Sequence, residues 1–246
     1  MSEGARSSIV IPAEVARFDA WSATWWDPAG PMRPLHVTNA LRLAWVREAI
    51  ARHHGGRQDL TLLDVGSGGG LMAEPLARAG LRVVGIDASA GNIGAARRHG
   101  ADVGQLDYRI GEPAVALRPD ERFDVVLALE VVEHVDDVPA FLSQVAGHVA
   151  PGGLLIASTI NRTARSWLLA IVGAEYVLRV LPVGTHRWRQ FVTPAELDAA
   201  ATRAGLRPLQ RLGMRYLPLL HRASWTRDTS VNYLASYARP ASEISA

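Results

Sequence analysis

The sequence predicts an α/β fold: a doubly wound, mostly parallel sheet with N-terminal helices and an insertion after the fifth strand. Three observations carry this. Short apolar runs ending in turn formers alternate with helical segments, the pattern of parallel strands joined by crossovers. The first of these runs, Leu60–Val65, feeds a glycine loop, Gly66-Ser67-Gly68-Gly69-Gly70, that opens onto a helical pattern. The second ends on an acid, Asp87, 21 residues beyond Gly66. From there a carboxylate reaches both hydroxyls of a ribose in nucleotide-cofactor folds.

Each element follows in order. Residues 1–12 read as a loose tail, and from Pro12 to about Asp27 the residues Val15, Phe18, Trp21 and Ser22 recur at helical spacing. Trp25-Trp26-Asp27-Pro28-Ala29-Gly30-Pro31 is rich in turn formers. Two adjacent indoles cannot face one core from a helix, so one of the pair is expected to line a cleft or the surface. Thr38 or Asn39 is the expected N-cap of a helix reaching about His53, with Leu41, Trp45 and Ala49 on one face. A helix over Leu71–Ala79 stops at Gly80. A strand over Leu81–Ile86 precedes Asp87, and a helix spans Ala90–His99. A weaker strand lies at 105–110 and a clear one at Phe123–Leu129. A helix over Val138–Val149 is closed by Pro151-Gly152-Gly153, before a fifth strand at Leu154–Thr159. The expected division is an N-terminal helical segment covering the cofactor site (1–57), a cofactor-binding core (58–160), an apolar and basic insertion (161–192) and a completion of the sheet (193–246).

Composition narrows the chemistry. With 246 residues and 48% hydrophobic content the chain can bury a sizeable core. Cysteine is absent, which excludes disulfides, cysteine–zinc sites and a thiol nucleophile. All 26 basic residues are arginine. From residue 160 onward twelve arginines stand against five acids, whereas the preceding part is acidic, so the net charge is only +2. A basic C-terminal third suggests an anionic partner: lipid headgroups, nucleic acid or an acidic protein, with solvated arginine faces as the alternative. The start, MSEGARSSIVIP, is not a secretory signal, and no apolar run reaches the ~18 residues of a spanning helix. An intracellular, non-spanning protein is expected.

The loop reads Asp64-x-Gly66-x-Gly68-x-Gly70. A dehydrogenase fingerprint needs a glycine at position 71, where Leu71 stands. Glycines let the main chain approach a ligand, and an acid just before the turn repels a pyrophosphate but suits a cationic or zwitterionic one. Together with Asp87 and Phe123-Asp124-Val125-Val126, this resembles the class I S-adenosylmethionine-dependent methyltransferases. The resemblance implies a Rossmann-like core, a glycine loop (Asp64, Gly66, Gly68) along the amino-acid part of S-adenosyl-L-methionine, and Asp87 on its ribose.

The flanks narrow the family. Trp25-Trp26-Asp27, Pro34-Leu35-His36, Asn39-Ala40-Leu41-Arg42, Glu130-Val131-Val132-Glu133-His134-Val135 and Ser158-Thr159-Ile160-Asn161-Arg162 all contribute. So do Gly173-Ala174-Glu175-Tyr176, Gly184-Thr185-His186 and Val231-Asn232-Tyr233. Over 14–235 the chain resembles the bacterial ubiquinone biosynthesis O-methyltransferases. This implies methylation of catechol hydroxyls on a polyprenylated ring, at both O-methylation steps. It also implies Arg42 and Gly66 at the cofactor's amino-acid end and a cofactor contact from Leu129. Ser67 stands where cysteine is frequent in the family; backbone amides bind there, so little effect is expected. The segment 111–122, where adenine contacts are sought, matches weakly.

Glu130, Glu133 and His134 lie at i, i+3 and i+4, so a helix after the fourth strand would put them on one face beside the cofactor's methyl group. Two carboxylates and an imidazole suit a divalent metal such as Mg2+, which would acidify and orient the catechol, or a general base with its orienters. His134 and Glu133 are therefore candidate catalytic residues, and Glu130, Glu133 and His134 candidate metal ligands. The resemblance to metal-associated eukaryotic relatives favours the metal. Asp136 and Asp137 read as helix N-terminal charges.

Trp167–Leu181 is apolar apart from Glu175 and Arg179, an i, i+4 pair, and follows Arg162 and Arg165. As a helix it would extend ~22 Å, short of a ~30 Å hydrocarbon core. With Arg187-Trp188-Arg189 it reads as a lid that docks on an anionic membrane surface, or as a buried lid or dimer helix. The expected location is cytoplasmic, peripheral to the inner face of the bacterial membrane, among other quinone-biosynthesis proteins. No nucleic-acid partner is expected, because Leu129-Glu130-Val131-Val132 stands where a nucleic-acid enzyme carries Asn/Asp-Pro-Pro-Tyr. A membrane-bound scaffold that retains only cofactor binding is the competing reading.

Overall fold

The computed structural model describes residues 11, 15, 16, 19, 21–30, 32–168 and 188–241. Eight strands form one sheet: β1 (Thr61–Val65), β2 (Arg82–Asp87), β3 (Leu106–Ile110), β4 (Phe123–Leu129), β5 (Val149–Ile160), β6 (Arg207–Leu217), β7 (Arg222–Thr226) and β8 (Asn232–Ala238). Their order is β3-β2-β1-β4-β5-β8-β6-β7. The first five are parallel, and β8 enters antiparallel between β5 and β6. The order reverses between β1 and β4, and the crevice beyond the carboxyl ends at such a switch point is where ligands bind in open α/β sheets.

The sheet is buried on both faces, which is why its central strands read as continuous apolar runs. Leu62, Val125, Leu127 and Ile156 face Trp45 and Val46 of α1 (Arg33–His54), Leu76 of α2 (Ala73–Arg78) and Ile93 of α3 (Ala90–His99). Their neighbours Leu63, Val126 and Leu155 face Phe141 and Val145 of α4 (Val138–Gly147) and Leu197 of α5 (Pro194–Arg203). No helix among the described residues is long and apolar enough to cross a membrane.

Several boundaries differ from expectation. The first long helix starts at Arg33, five residues before Thr38, because Pro34 sits in the first turn where its missing N–H costs nothing. The Thr38 hydroxyl donates back to the Pro34 carbonyl at 2.8 Å instead of capping. The buried stripe runs Thr38, Arg42, Trp45, Val46, Ala49, Ile50, so a charge occupies a core position and Leu41 does not belong to the stripe. Strand β5 starts at Val149 rather than Leu154 and carries Pro151-Gly152-Gly153 within it, through a register shift against Phe123–Val125. Of the helix expected over Pro12–Asp27, the described residues Val15, Ala16 and Asp19 are α-helical and Ser22–Thr24 form a 3-10 turn, while Phe18 lies outside the described residues. Asp137 caps α4, accepting from the Ala140 N–H at 2.9 Å. The apolar run from residue 169, with Glu175, Arg179, Gly184-Thr185-His186 and Arg187, lies outside the described residues.

Candidate active site

The carboxyl ends of β1, β2, β4 and β5 converge on one end of the sheet. After β1 the chain turns so that the Gly66 and Ser67 N–H groups both donate to the Ile86 carbonyl, at 2.8 and 3.0 Å. Gly66, Gly68 and Gly70 hold φ of +69°, +55° and +89°. A Cβ on Gly66 would sit 2.2 Å from Val131 Cγ2, and one on Gly68 2.6 Å from the Trp25 indole. Glycine is therefore required here by backbone conformation and by space alike.

Asp87 anchors the loop. Its carboxylate accepts from the Gly68 N–H (2.9 Å), the Ser89 N–H (2.8 Å) and Asn92 Nδ2 (3.3 Å). Burial still pushes it above the usual carboxylate range. Asn92 Oδ1 accepts the Trp25 indole N–H at 2.7 Å. Because an indole only donates, Trp25 dictates which end of the Asn92 amide meets Asp87. Asp19 adds a clasp, accepting from Ser89 Oγ (2.6 Å) and the Gly91 N–H (2.8 Å). Trp26 donates to the Gly69 carbonyl at 2.9 Å and stacks on His99 at 3.4 Å. The adjacent tryptophans thus divide the work: Trp25 packs inward on the glycine loop, and Trp26 straps it from outside.

This relay makes a prediction. Trp25→Phe keeps the ring but frees Asn92 to flip its oxygen toward Asp87. Binding of S-adenosylhomocysteine is expected to weaken about tenfold, the loss of one buried hydrogen bond plus the repulsion. The KM for S-adenosylmethionine should rise with little change in kcat. Calorimetry showing wild-type affinity would remove Trp25 and Asn92 from the site.

Asp64 lies at the end of β1, fully buried, with Oδ2 lacking any hydrogen-bond partner. Burial, followed by the charge of Asp87, pushes its carboxyl up to about 7. The hydroxyls of Ser67 and Tyr108 are likewise buried without partners. Asp64 also accepts a backbone hydrogen bond from Ala73, so a glycine cradle beside a buried acid with one oxygen left over fits a ligand bearing cationic and hydroxyl groups, as S-adenosylmethionine does.

At the end of β4, Leu129 is half-buried and Glu130 takes a left-handed conformation, φ +56°. Its N–H donates to Ser158 O at 3.0 Å. Its carboxylate accepts from Ser158 Oγ at 2.7 Å and pairs with Arg42 at 2.8 Å. Arg42 is 3% exposed, with Nη1 also donating to Asn39 at 3.0 Å. The chain then makes one 3-10 turn, Val132–His134, where an α-helix was expected. The shared face of Glu130, Glu133 and His134 is therefore not formed. The left-handed bend at Glu130 turns its carboxylate to Arg42, while Glu133, 4% exposed, accepts from Thr159 Oγ1 at 2.6 Å. Burial and then the Glu130 charge push Glu133 up to about 7. Among the described residues no group of three His, Asp or Glu side chains is placed to hold a metal ion. Asn92 and Asp19, which brace Asp87 and the turn after it, carried no signal in the spacing, whereas Trp25 and Ser158 were noticed only within longer motifs.

A family model for a methyltransferase domain matches residues 37–211. Over 235 residues the chain is 50% identical to the ubiquinone biosynthesis O-methyltransferase of Methylobacterium nodulans, covering 92% of this chain and 94% of that one. It is 51% identical over 237 residues to that of Azorhizobium caulinodans, covering 92% and 93%. The chain belongs to the ubiquinone biosynthesis O-methyltransferase family. It is an S-adenosylmethionine-dependent O-methyltransferase. Solved structures agree on the fold. Magnesium protoporphyrin IX methyltransferase from Synechocystis PCC 6803, with bound SAH, has a TM-score of 0.66 at 21% identity, covering 91% of this chain and 94% of that one. The N-methyltransferase NodS from Bradyrhizobium japonicum WM9 has 0.61 at 17%, covering 92% and 98%. The class I, Rossmann-like architecture of the O-methyltransferase is thus the one its sequence predicted.

Proposed function

We propose that this O-methyltransferase methylates catechol hydroxyls on polyprenylated ring intermediates of ubiquinone biosynthesis, at both O-methylation steps, on the cytoplasmic face of the membrane. The identity of about half over more than nine-tenths of the chain, to relatives so named, carries the reading. Residues 1–57 cover the cofactor, 58–160 hold it, 161–192 meet the anionic membrane near other quinone-biosynthesis proteins, and 193–246 complete the sheet.

S-adenosylmethionine supplies a methyl group on a sulfonium, which a phenolate oxygen takes by in-line displacement. Asp64, Gly66 and Gly68 cradle its amino-acid end, with Arg42 closing that side through Glu130. Asp87 takes the ribose and Leu129 packs beside it. A phenol is a weak nucleophile until its proton leaves. His134, half-buried on the turn beyond Glu130, accepts that proton, and the neighbouring charge of Glu133 stabilises the imidazolium that forms. A divalent metal on Glu130, Glu133 and His134 is a second reading. It is favoured by the repulsion between the two carboxylates, which a cation would relieve. Against it, Glu130 is already committed to Arg42 and Glu133 to Thr159.

The test is methyl transfer to a short-chain polyprenyl catechol in liposomes, with and without a chelator. Methylated product is expected. Turnover indifferent to chelator assigns His134 as base, and turnover lost and restored by metal assigns the metal site. Cofactor binding without product in either arm would overturn the enzymatic reading and favour a scaffold.

A further inference from the structure

Strand β6 does not stop where the sheet does. Its pairing with β8 ends at Gly213↔Tyr233, and Tyr233 in turn pairs with Thr159 of β5. From there β6 and β7 continue as a two-stranded ribbon, Met214↔Trp225 to Leu217↔Arg222. The ribbon turns through Pro218–Leu220 and His221. Strands β5 and β6 are both antiparallel to β8, so they run in the same direction. The ribbon therefore projects from the end of the sheet that carries Glu130, Asp87 and the glycine loop. Four residues past Gly213, at ~3.3 Å each, place Leu217 about 13 Å beyond the last β6–β8 pair. The base is anchored, with Trp225 against Trp45 of α1 at 6.2 Å.

The tip leaves Leu217, Leu219 and Leu220 exposed by 45%, 83% and 64%. A single exposed leucine needs no explanation, but three together on a projecting turn do. Trp167 and Leu168, just after β5, are exposed on the same end. Charge selects the partner. Between Asp198 and Asp228 there are six arginines (Arg203, Arg207, Arg211, Arg215, Arg222, Arg227) and no acid, and Arg215 and Arg222 flank the tip. An acidic peptide would satisfy the arginines and leave the leucines wet. A second copy meeting tip to tip would bring arginine against arginine. An anionic bilayer satisfies both, with leucines among the acyl chains and guanidiniums at the phosphates.

We infer that the β6–β7 tip is a membrane wedge: Leu217, Leu219 and Leu220 insert into an anionic leaflet within a collar of Arg215 and Arg222, turning the open end of the site toward the lipid. The inference rests on the reading that the enzyme works at the membrane surface. It adds a second contact, separate from the insertion after β5.

The test is co-sedimentation with vesicles of phosphatidylglycerol and phosphatidylcholine, and of phosphatidylcholine alone. The wild-type protein is expected to bind the first and not the second. Leu219→Glu with Leu220→Glu should weaken that binding about tenfold or more. Arg215→Gln with Arg222→Gln should reduce it and flatten its salt dependence. Both variants should keep wild-type affinity for S-adenosylhomocysteine and wild-type turnover of a water-soluble catechol, which excludes misfolding. Leucine variants that bind vesicles like wild type overturn the wedge and leave the membrane reading standing. Wild-type protein that ignores anionic vesicles overturns both. A change in the variants' mass in solution, without lipid, would make the tip a subunit contact and overturn the wedge.

Discussion

Gly66→Ala is expected to weaken S-adenosylhomocysteine binding by about a hundredfold or more and to remove turnover in proportion. Two costs add at this position. The left-handed backbone, φ +69°, disfavours any Cβ by about 1–2 kcal/mol. The new methyl would stand 2.2 Å from Val131 Cγ2, an overpacking worth about 1–3 kcal/mol if the neighbours yield. Val131 has little freedom to yield, because it follows Glu130, which is tied by its N–H and carboxylate to Ser158 and by ion pairing to Arg42. The loop must therefore move, and with it the amides meant for the cofactor. Val131→Ala in the same chain removes the contact but not the backbone strain, so the double variant should recover part of the affinity. Calorimetric titration of the single and double variants, with thermal unfolding as the control, reads both contributions. Wild-type affinity in Gly66→Ala would mean that this loop does not hold the cofactor.

The second large effect concerns Asp64 and pH. In the folded protein its carboxyl is held up to about 7, whereas in the unfolded chain it titrates near the usual ~3.9. A raised acid contributes stability that is fully present below about pH 4 and is lost as pH rises through about 7. The ligand-free protein is therefore expected to lose stability between about pH 4 and about pH 7 through this group, levelling off above, and Asp64→Asn should flatten that slope. Asp87, also raised by burial, faces the same site, so its own pH dependence will remain in the variant. A cationic ligand reverses the preference by favouring the ionised form. Affinity for S-adenosylmethionine should then strengthen up to about tenfold per pH unit between pH 5 and 7 and level off above. Binding should release a proton, visible as a buffer-dependent enthalpy. An affinity that stays flat from pH 5 to 8 would show that Asp64 keeps its proton when the cofactor binds.

Much of the fold was legible because it is written locally. Strand β4 and helix α3 match their expected bounds, since an unbroken apolar run and a Ser89 cap are readable within a few residues. The glycine loop and Asp87 were readable for the same reason: each is a conformational demand made by consecutive residues. The start of α1 was less legible because Thr38 competes with Pro34 as a start signal, and packing settles the matter. The helix supposed after β4 is absent for a deeper reason. The spacing of Glu130, Glu133 and His134 suits an α-helix, but Glu130 bonds across to β5 and α1, partners 28 and 88 residues away, and these bend the chain before a helix can begin.

By itself the sequence determined the alternation of strands and helices, the parallel core and the acid-and-glycine cradle at the switch point. These depend on periodicity and on backbone freedom, which neighbouring residues settle. Only the tertiary structure decided which charges would meet. Arg42 in a buried helical stripe is intelligible once Glu130 stands opposite it. Trp25 becomes intelligible once Asn92 and the glycine loop lie against it. The leucines of the β6–β7 turn become a surface once β8 shows that the ribbon outruns the sheet. Desolvation and pairing energies depend on what folding brings within a few ångströms, and spacing along the chain carries no record of that.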